Sequence, residues 1–539
     1  MNRFLSPEPI VKLEKAFSNP FRNLVATAQT CYSGKGIINE DNITEDYRKL
    51  AKSIYKAGHH TTLQHAHFQF AISNVSRQFV WSFLHSHPFY NSEQVSQRYV
   101  PVRPGNFLIP PLKGEALAVY EKTISLQMEA YNRLTERLYP IVKSEYLRRF
   151  RAYEKNKKGI KGNQSRAKLM QLELPMYSSV KRLEKEVVKK AQEVARYVIP
   201  VAAFTYLYHT VNAITLFRYY RLCKMYDVPV EQQLVVEKMI DEVLTVEPLY
   251  KTILEEPLET EAIPEYQFLQ SVKSKQSSKL SKRFLMEFDA SLDGRTSKLI
   301  DYRQNNEAVL AQSVREVLGL TSSKLSDKKA IKLVSDPSQN RLLGETLNLT
   351  TMSKLSRTLS HVSYTFRKRI SHTADSQDQR HRTTPASRPC LHRHITDEPD
   401  YITPELIKQD AKLERGYQAT MEQTWEAMNR LKALGVSDEF AMYLLPNAVA
   451  VRFTESGDLL NLRHKYAMRL CYNAQEEIWR ASLDEVEQIS KVNPAIGKYL
   501  LPPCTSRDMA DVRPVCPEGE RFCGVKVWRL RLRDYKRII

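Results

Sequence analysis

Apolar and polar residues alternate in two distant parts of this chain, His65–Ile72 and Val362–Ile370. An alternation with a period of two places every second side chain on one face, so each stretch predicts a β-strand with one buried face. A histidine opens each stretch, His361 standing immediately before the second. Leu84 and Arg380 each lie 19 residues after the histidine of their own stretch. The repeated pattern indicates two diverged copies of one unit.

Longer segments with apolar residues at helical spacing surround the two predicted strands. In the first half they are residues 47–55, 114–148, 177–195 and 198–220, the last apolar enough for a buried helix. In the second half they are residues 404–434, 437–452 and 457–482. These patterns predict an α+β fold in which each copy is a small sheet flanked by long helices.

The division between the copies falls at residues 270–283, which are rich in Ser and Lys and nearly free of large apolar residues. This composition is typical of a linker. We therefore expect a first copy over residues 1–269 and a second copy over residues 284–539, with a Cys-containing tail from Leu500. Residues 150–170 are basic and contain Gly, which predicts a solvated insert.

Composition and charge narrow the class of protein. With 42% apolar and 26% charged residues, the chain has the make-up of a soluble globular protein, and no apolar run is long enough to span a membrane. The first residues lack the apolar core of a signal peptide, and seven cysteines in 539 residues are typical of a reducing cytoplasm. The net charge of +20 favours anionic partners. It leaves a basic nucleic-acid-binding protein as an alternative, although no recognisable nucleic-acid module accompanies the charge.

The first copy carries two motifs around its strand. Residues 58–65, Gly-His-His-Thr-Thr-Leu-Gln-His, precede the strand, and residues 92–100, Ser-Glu-Gln-Val-Ser-Gln-Arg-Tyr-Val, follow it. This arrangement resembles the flavin-dependent thymidylate synthases, which carry an Arg-His-Arg motif and then a substrate loop ending in Arg-Tyr. Here Leu84-His85-Ser86 stands where Arg-His-Arg is expected, and the intact Arg380-His381-Arg382 occurs in the second copy.

Two further motifs of that family are divided between the copies. The first copy keeps Thr-Val-Asn-Ala at residues 210–213, but has Tyr206 and Cys223 where the family has nucleotide-binding arginines. The second copy has Arg452 and Arg469 at those positions. Since each copy retains what the other lacks, the resemblance implies active sites composed from both copies.

The resemblance assigns a role to each matching residue. Guanidinium groups bind phosphate and carbonyl oxygens in a bidentate manner, which suits a nucleotide. The implied substrate-binding residues are Glu93, Gln94, Ser96, Arg98, Arg452 and Arg469, of which Ser96 and Arg469 are also taken as catalytic. The implied flavin-binding residues are Thr61, His85, Asn212, Arg380, His381 and Arg382. Asn212 and Thr61 have structural alternatives, a hydrogen-bonded core amide and a cap before the strand.

The reaction implied by the resemblance is the reductive methylation of dUMP to dTMP, with FAD as the cofactor and NADPH and methylenetetrahydrofolate as co-substrates. The family needs no nucleophilic cysteine, so we assign none of the seven to covalent catalysis, and the sequence identifies no general base. Two fused copies are expected to form a homodimer that imitates the homotetramer of the family. The alternatives are a nucleotide- or flavin-binding homologue without synthase activity and the nucleic-acid-binding protein considered above.

No metal site is predicted. Six histidines lie between His59 and His87, but no cysteine or carboxylate stands at a standard ligand spacing beside them. The tail contains Cys504, Cys516 and Cys523, which are one ligand short of a closed zinc site unless a fourth arrives from elsewhere. Three reduced thiols in a packed tail are the alternative.

Overall fold

In the computed structural model the chain is described over residues 3–43, 47–158, 180–271 and 278–539. It divides into two compact units, and each unit combines three separate segments of the chain. Unit 1 contains Met1–Ser125, Pro200–Ser278 and Thr424–Leu445, and unit 2 contains Leu126–Ile199, Lys279–Gln423 and Pro446–Ile539. Unit 1 therefore includes a segment of the second copy, and unit 2 includes a segment of the first.

Unit 1 is built on a sheet of four strands, which are β1 (Ile10–Ala16), β2 (His67–Ser76), β3 (Asn91–Gln94) and β4 (Phe204–Asn212). Their order across the sheet is β1-β2-β4-β3, and every pair is antiparallel. Alternate residues of β2, including Phe68, Phe70 and Ile72, are buried. The strand predicted from the alternation is therefore confirmed.

Unit 2 repeats this arrangement with β5 (Ser297–Tyr302), β6 (Ser363–Ser371), β7 (Ala386–Ser387) and β8 (Ala450–Asp458). The order is β5-β6-β8-β7, again antiparallel throughout. Position by position, this is the strand order of unit 1. The second predicted strand is confirmed, and the α+β fold with a small sheet in each copy is confirmed with it.

Helices surround both sheets. Those in unit 1 are α1 (Pro20–Thr30), α2 (Tyr47–Lys56), α3 (Arg77–His85), α6 (Ala213–Arg221), α7 (Val230–Val246), α8 (Pro264–Ser271) and α15 (Asp438–Met442). Those in unit 2 are α5 (Val180–Ala195), α9 (Ser278–Ala290), α10 (Asn306–Leu318), α11 (Asp327–Ser335), α12 (His372–Asp378), α13 (Glu405–Lys408), α16 (Leu459–Arg469), α17 (Glu476–Val492), α18 (Pro494–Gly497) and α19 (Pro503–Met509). Two long helices, α4 (Gly114–Lys158) and α14 (Ala411–Ala433), contribute residues to both units.

One helix in each unit covers the buried face of its sheet. In unit 1, Val235 and Met239 of α7 join the core that contains Phe68 of β2. In unit 2, Val486 of α17 joins the core that contains Phe366 of β6. Full burial of a side chain of this size stabilises the fold by about 1.5–3 kcal/mol, so burial of these apolar residues holds each helix against its sheet. Among the described residues, no helix is long and apolar enough to cross a membrane.

The buried helix predicted over residues 198–220 is wrong. The structure has the strand β4 at residues 204–212, followed by the short helix α6. Leu207 and Val211 of β4 are buried, whereas Tyr206 and Tyr208 are exposed, so the period is two. The apolar and aromatic content concealed this alternation, because aromatic residues also occupy the exposed face.

The predicted helices over residues 437–452 and 457–482 are also wrong in part. The first is limited to α15, and the strand β8 then occupies residues 450–458. The second is divided into α16 and α17, with a loop at residues 470–475 between them. By contrast, α2 and α4 lie where the sequence predicts helices, and Gly58, with φ at 79°, follows the end of α2.

The two predicted polar segments are only partly described. Helix α4 continues through residues 150–158, and the rest of the predicted insert, residues 159–170, lies outside the described residues. Of the predicted linker, residues 272–277 lie outside the described residues, and α9 begins at Ser278.

Candidate active site

Each sheet ends its second strand at a capping serine. The hydroxyl oxygen of Ser76 accepts a hydrogen bond from the amide of Phe79 at 2.9 Å, and that of Ser371 accepts one from Ala374 at 3.1 Å. Such caps satisfy amides at the start of a helix, here α3 and α12. Because both serines have the same place in the same topology, they provide a common origin for comparing the copies.

A buried glutamate binds each capping serine. Glu231 accepts hydrogen bonds from the amide and hydroxyl of Ser76 at 2.7 and 2.5 Å. Glu477 accepts the same pair from Ser371 at 2.5 and 2.6 Å. Burial raises the pKa of Glu231 to about 7, although its hydrogen bonds oppose that rise. The two units therefore repeat not only their strand order but also a buried polar contact.

A tyrosine completes each network, and it comes from the other copy. In unit 1, Tyr443 donates to Glu231 at 3.1 Å, and in unit 2, Tyr197 donates to Glu477 at 2.5 Å. Both tyrosines stand three residues before a proline in related positions of the two copies. The segment that each unit takes from the other copy therefore supplies a hydrogen-bonding side chain to its buried network.

Alignment of the two copies on their capping serines changes the residue correspondence by one position. Strand β2 has an irregular register between Ile72 and Val75, which adds one residue relative to β6. Counted from the serines, Arg380 corresponds to His85 and not to Leu84. The tripeptide opposite Arg-His-Arg is therefore His-Ser-His at residues 85–87, and the alignment by equal distance from the histidines was wrong by one position.

In unit 2 the structure joins the Arg-His-Arg motif to a distant arginine. Nε of Arg469 donates to Nε2 of His381 at 2.9 Å, and its Nη2 donates to the carbonyl of Gln377 at 2.5 Å. Burial, together with the cations of Arg469 and Lys465, holds the pKa of His381 well below its ordinary value. His381 is therefore neutral at pH 7, while Arg380 and Arg382 on either side are exposed.

Five buried charged residues contact one another close to this motif, and we call them the buried charge cluster. Its members are Lys368, Asp378, Glu455, Lys465 and Glu485, each at most 1% exposed. Lys368 Nζ lies 2.8–3.1 Å from one oxygen of each of the three carboxylates. Lys465 contacts Asp378 at 2.9 Å and also Glu455. Burial alone would lower the pKa of Lys368, but the three carboxylates raise it well above its ordinary value.

Unit 1 has aromatic rings at three of the corresponding positions. Counted from the capping serines, Phe83 corresponds to Asp378, and counted from the starts of β4 and α6, His209 and Tyr219 correspond to Glu455 and Lys465. The ring of Phe83 lies 4.8 Å from that of His209 and 4.6 Å from that of Tyr219. One fold thus holds an ionic interior in one unit and an aromatic interior in the other.

The predicted substrate loop of unit 1 begins in β3. Glu93 is exposed and pairs with Tyr208 in the strand register. Arg77 holds the adjoining chain, because its guanidinium donates to Gln94 Oε1 at 3.0 Å and to the carbonyl of Val95 at 2.7 Å. Arg77 is a residue that the sequence did not single out.

The two remaining loop residues follow directly. Ser96 Oγ accepts from the amide of Arg98 at 3.2 Å, and the Arg98 guanidinium lies 5.5 Å from the centre of the Tyr99 ring. A short turn therefore presents the serine and the arginine side by side, and both are half-buried.

The three flavin-binding residues predicted in the first copy have different environments. Thr61 is exposed, in a 3-10 helix at His60–His65. His85 is half-buried and packs edge-on against Trp81, with 5.0 Å between the ring centres. Asn212 caps α6, accepting from the amide of Thr215 at 3.0 Å.

Arg452 lies in β8 and not on the helix that the sequence predicts. Its side chain is 1% exposed. It donates to both oxygens of Asp289 at 2.7 Å and to those of Asp400 at 2.5 and 3.1 Å. None of these partners is a predicted site residue. A phosphate would reach this guanidinium only by replacing a carboxylate.

The residues of the Arg-His-Arg region fit an anionic cofactor. Two exposed guanidiniums, Arg380 and Arg382, flank a neutral imidazole, and Arg469 adds a third cation beside it. Guanidinium forks match the oxygens of a diphosphate. FAD, the cofactor of the family named above, carries a diphosphate, so this donor set is compatible with it.

The sequence analysis did not single out Lys368. The feature that could have identified it is a charged residue on the inward face of β6, between the buried Phe366 and Ile370.

Comparison with known proteins agrees with this description. Residues 12–249 and 298–495 each match the family described as thymidylate synthase complementing protein. A flavin-dependent thymidylate synthase from Clostridium tetani is 27% identical over 244 residues, which are 42% of this chain and 92% of that protein. Another, from Sulfurisphaera tokodaii, is 33% identical over 152 residues, 27% of this chain and 57% of that protein.

Among solved structures, the UMP/dUMP methylase PolB from Streptomyces cacaoi bound with 5-Br dUMP aligns with 14% identity and a TM-score of 0.32, covering 47% of this chain and 99% of that one. At this similarity the structure supports no conclusion about this chain's ligands. The two segments that match the family model together span most of the chain, they fit a chain of two copies, and the relatives indicate an enzyme of the flavin-dependent thymidylate synthase type. The chain belongs to the thymidylate synthase complementing protein family.

Proposed function

We propose that this protein catalyses the reductive methylation of dUMP to dTMP, with FAD as its cofactor and with NADPH and methylenetetrahydrofolate as co-substrates. The observation that carries the proposal is the contact between Arg469 and His381, at 2.9 Å. It joins the Arg-His-Arg motif to the second nucleotide-binding arginine of the family within one unit, although the two residues are 88 positions apart.

The nucleotide is bound by guanidinium and hydroxyl groups in this proposal. Arg98 and Ser96 stand together in one turn and offer a cation and a hydroxyl to a phosphate. Arg469 offers its guanidinium to a uracil oxygen, where negative charge develops when the ring is reduced. The hydrogen bonds to His381 and Gln377 hold this guanidinium in place. Glu93 and Gln94 line the approach to the same turn, and Arg452 takes part only if Asp289 and Asp400 release it.

The flavin-binding role falls to Arg380, His381 and Arg382, with Thr61, His85 and Asn212 of the first copy. FAD, when bound, supplies the hydride that reduces the transferred carbon. Arg380 and Arg382 neutralise its diphosphate, and His381, being neutral, adds no further positive charge. Because the family motifs are divided between the copies, we propose that turnover requires motif residues of both.

The test is a turnover assay on the purified full chain. We expect flavin absorbance, and release of tritium from C5-labelled dUMP when NADPH and methylenetetrahydrofolate are both supplied. Omission of either co-substrate is the control, and Arg133→Ala, an exposed change in α4, is the matched variant. A protein that cannot be reconstituted with FAD and releases no tritium would overturn the proposal.

The second candidate is a nucleotide- and flavin-binding protein without synthase activity. The pairing of Arg452 with two aspartates favours it, because that arginine is neutralised where the family binds nucleotide. Calorimetric titration with dUMP, combined with the tritium-release assay, separates the two candidates. Binding of dUMP without tritium release supports the second, and measured dTMP formation eliminates it.

The assembly and location are part of the same proposal. A two-copy chain that imitates a homotetramer would be a homodimer in the cytoplasm, with a mass of twice 62.5 kDa in light scattering. A monomer at micromolar concentration would contradict the assembly.

A further inference from the structure

Four of the five cysteines of unit 2 lie near one another. Cys471 follows α16, Cys504 lies in α19, and Cys516 and Cys523 lie further along the tail. The thiol of Cys504 interacts electrostatically with the other three thiols. Cys504, Cys516 and Cys523 are at most 9% exposed. The structure thus brings a fourth cysteine, from more than thirty residues upstream, to the three that the sequence places in the tail.

Hydrogen bonds between the segments hold this gathering together. The side-chain nitrogen of Asn473 donates to Glu518 Oε2 at 3.3 Å and to the carbonyl of Arg521 at 2.6 Å. These bonds connect the loop of Cys471 to the turn between Cys516 and Cys523. In addition, Nε of Arg507, in the helix of Cys504, donates to the carbonyl of Pro514 at 2.8 Å. All four cysteine-bearing segments are therefore linked by contacts that involve no sulphur.

Backbone groups two residues further on are directed at three of the sulphurs. Cys471, Cys516 and Cys523 each form a hydrogen bond with the backbone of residue i+2, which is Asn473, Glu518 or Val525. As a thiol, Cys523 also donates to the carbonyl of Val525 at 3.6 Å. Gly519 and Gly524 make the turns possible, with φ at 57° and 82°. Amide donors of this kind stabilise thiolates that bind a metal.

A buried cation beside the cysteines lacks a complete set of partners. Arg537 is 8% exposed and donates to the backbone oxygens of Ala474 and Ile539 at 2.9 and 2.8 Å. Among the described residues, its Nη1 has no hydrogen-bond partner. Arg537 interacts electrostatically with Cys471 and Cys523. A divalent ion held by four thiolates carries a net charge of −2, so it would add an anionic group beside this guanidinium to the carboxylates of Glu476 and Glu193.

We propose that Cys471, Cys504, Cys516 and Cys523 form a closed four-thiolate site for a structural zinc ion. In the described part of the chain, no three ligand groups already stand at metal-binding distances. Four thiolates in tetrahedral coordination are the ligand set of a closed structural zinc site. Each thiol releases its proton on binding, and no oxidation or reduction takes place. The site would join the end of α16 to the tail.

The experiment is metal analysis of the full chain, purified under reducing conditions without chelators. We expect about one zinc per chain, and X-ray absorption should show four sulphur neighbours at about 2.3 Å. Cys471→Ala and Cys516→Ala should each lose the metal. Cys223→Ala is the matched control, because Cys223 is also buried but lies in unit 1; it should keep its zinc.

The absorption measurement needs only the unaltered protein, so the proposal stays testable if a variant fails to fold. Zinc well below one equivalent in the unaltered chain would overturn it. Nitrogen or oxygen neighbours at the metal, or intact-mass evidence of disulfides among these cysteines, would also overturn it. The measurement does not depend on dUMP or FAD, so its failure is distinguishable from failure of the proposed enzyme activity.

Discussion

Arg469 donates through Nε to Nε2 of His381 at 2.9 Å. An arginine can only donate, so the histidine accepts at Nε2, and the neutral ring carries its proton on Nδ1. A residue at the end of α16 thereby fixes both the tautomer and the orientation of the central residue of the Arg-His-Arg motif. Arg380 and Arg382, both exposed residues, then have a neutral group between them.

The substitution Arg469→Lys tests this contact. The lysine side chain would keep the charge but lose the planar fork that reaches both His381 and Gln377. We expect kcat/KM for dUMP to fall about 10- to 100-fold, which corresponds to the loss of a charged hydrogen bond. Steady-state tritium release measures the effect, and Arg341→Lys on an exposed position is the control. Kinetics equal to those of the parent would show that the contact has no part in turnover.

The division of motifs between the copies predicts that single changes in either copy stop the reaction. Arg98→Ala removes a predicted phosphate ligand, and Arg382→Ala removes a predicted diphosphate ligand. We expect each to reduce turnover by about 100-fold or more. Bound flavin should fall in Arg382→Ala alone, whereas Arg98→Ala should weaken dUMP binding and retain flavin. Near-normal activity in either variant would contradict the requirement for both copies.

The buried charge cluster predicts a large stability effect. Lys368→Met would leave Asp378, Glu455 and Glu485 with Lys465 as the one remaining cation of the cluster, and Lys465 contacts only the first two. Breaking a buried ion pair by removing one partner costs about 3–5 kcal/mol. We expect a loss of this size in the free energy of unfolding of the full chain, measured by denaturant titration. The control is Lys328→Met at an exposed position. A loss no larger than that of the control would show that the cluster is not a stabilising network.

His394 predicts a pH dependence. Burial, with a contribution from the cation of Arg452, lowers its pKa to about 4, whereas an unfolded histidine titrates near about 6.5. Between these values the unfolded chain binds more protons than the folded one, so stability falls as the pH decreases from about 6.5 to about 4. His394→Gln should show a shallower decline over this range in urea titrations. Above about pH 7.5 both proteins should give parallel curves, since the histidine is neutral in both states there. Equal slopes in the acidic range would contradict the assignment.

The sequence was sufficient for features that depend on neighbouring residues. The alternation over His65–Ile72 and Val362–Ile370 identified two strands, because side-chain direction along a strand repeats every two residues. The same criterion did not identify β4, because the exposed Tyr206 and Tyr208 gave this strand the aromatic composition of a buried segment. It also missed the extra residue in β2, since a bulge changes the register without changing the pattern on either side.

The tertiary structure alone decided which distant groups meet. Within the sequence, nothing connects Ser76 with Glu231, which are 155 positions apart, or either of them with Tyr443 of the other copy. The same is true of Lys368 and Glu485, and of Cys471 and the tail cysteines. The sequence by itself determined the family, the two sheets and the types of residue available for chemistry. The assembly of those residues required the packed chain, because a contact between distant positions depends on how whole helices and sheets cover one another and not on local periodicity.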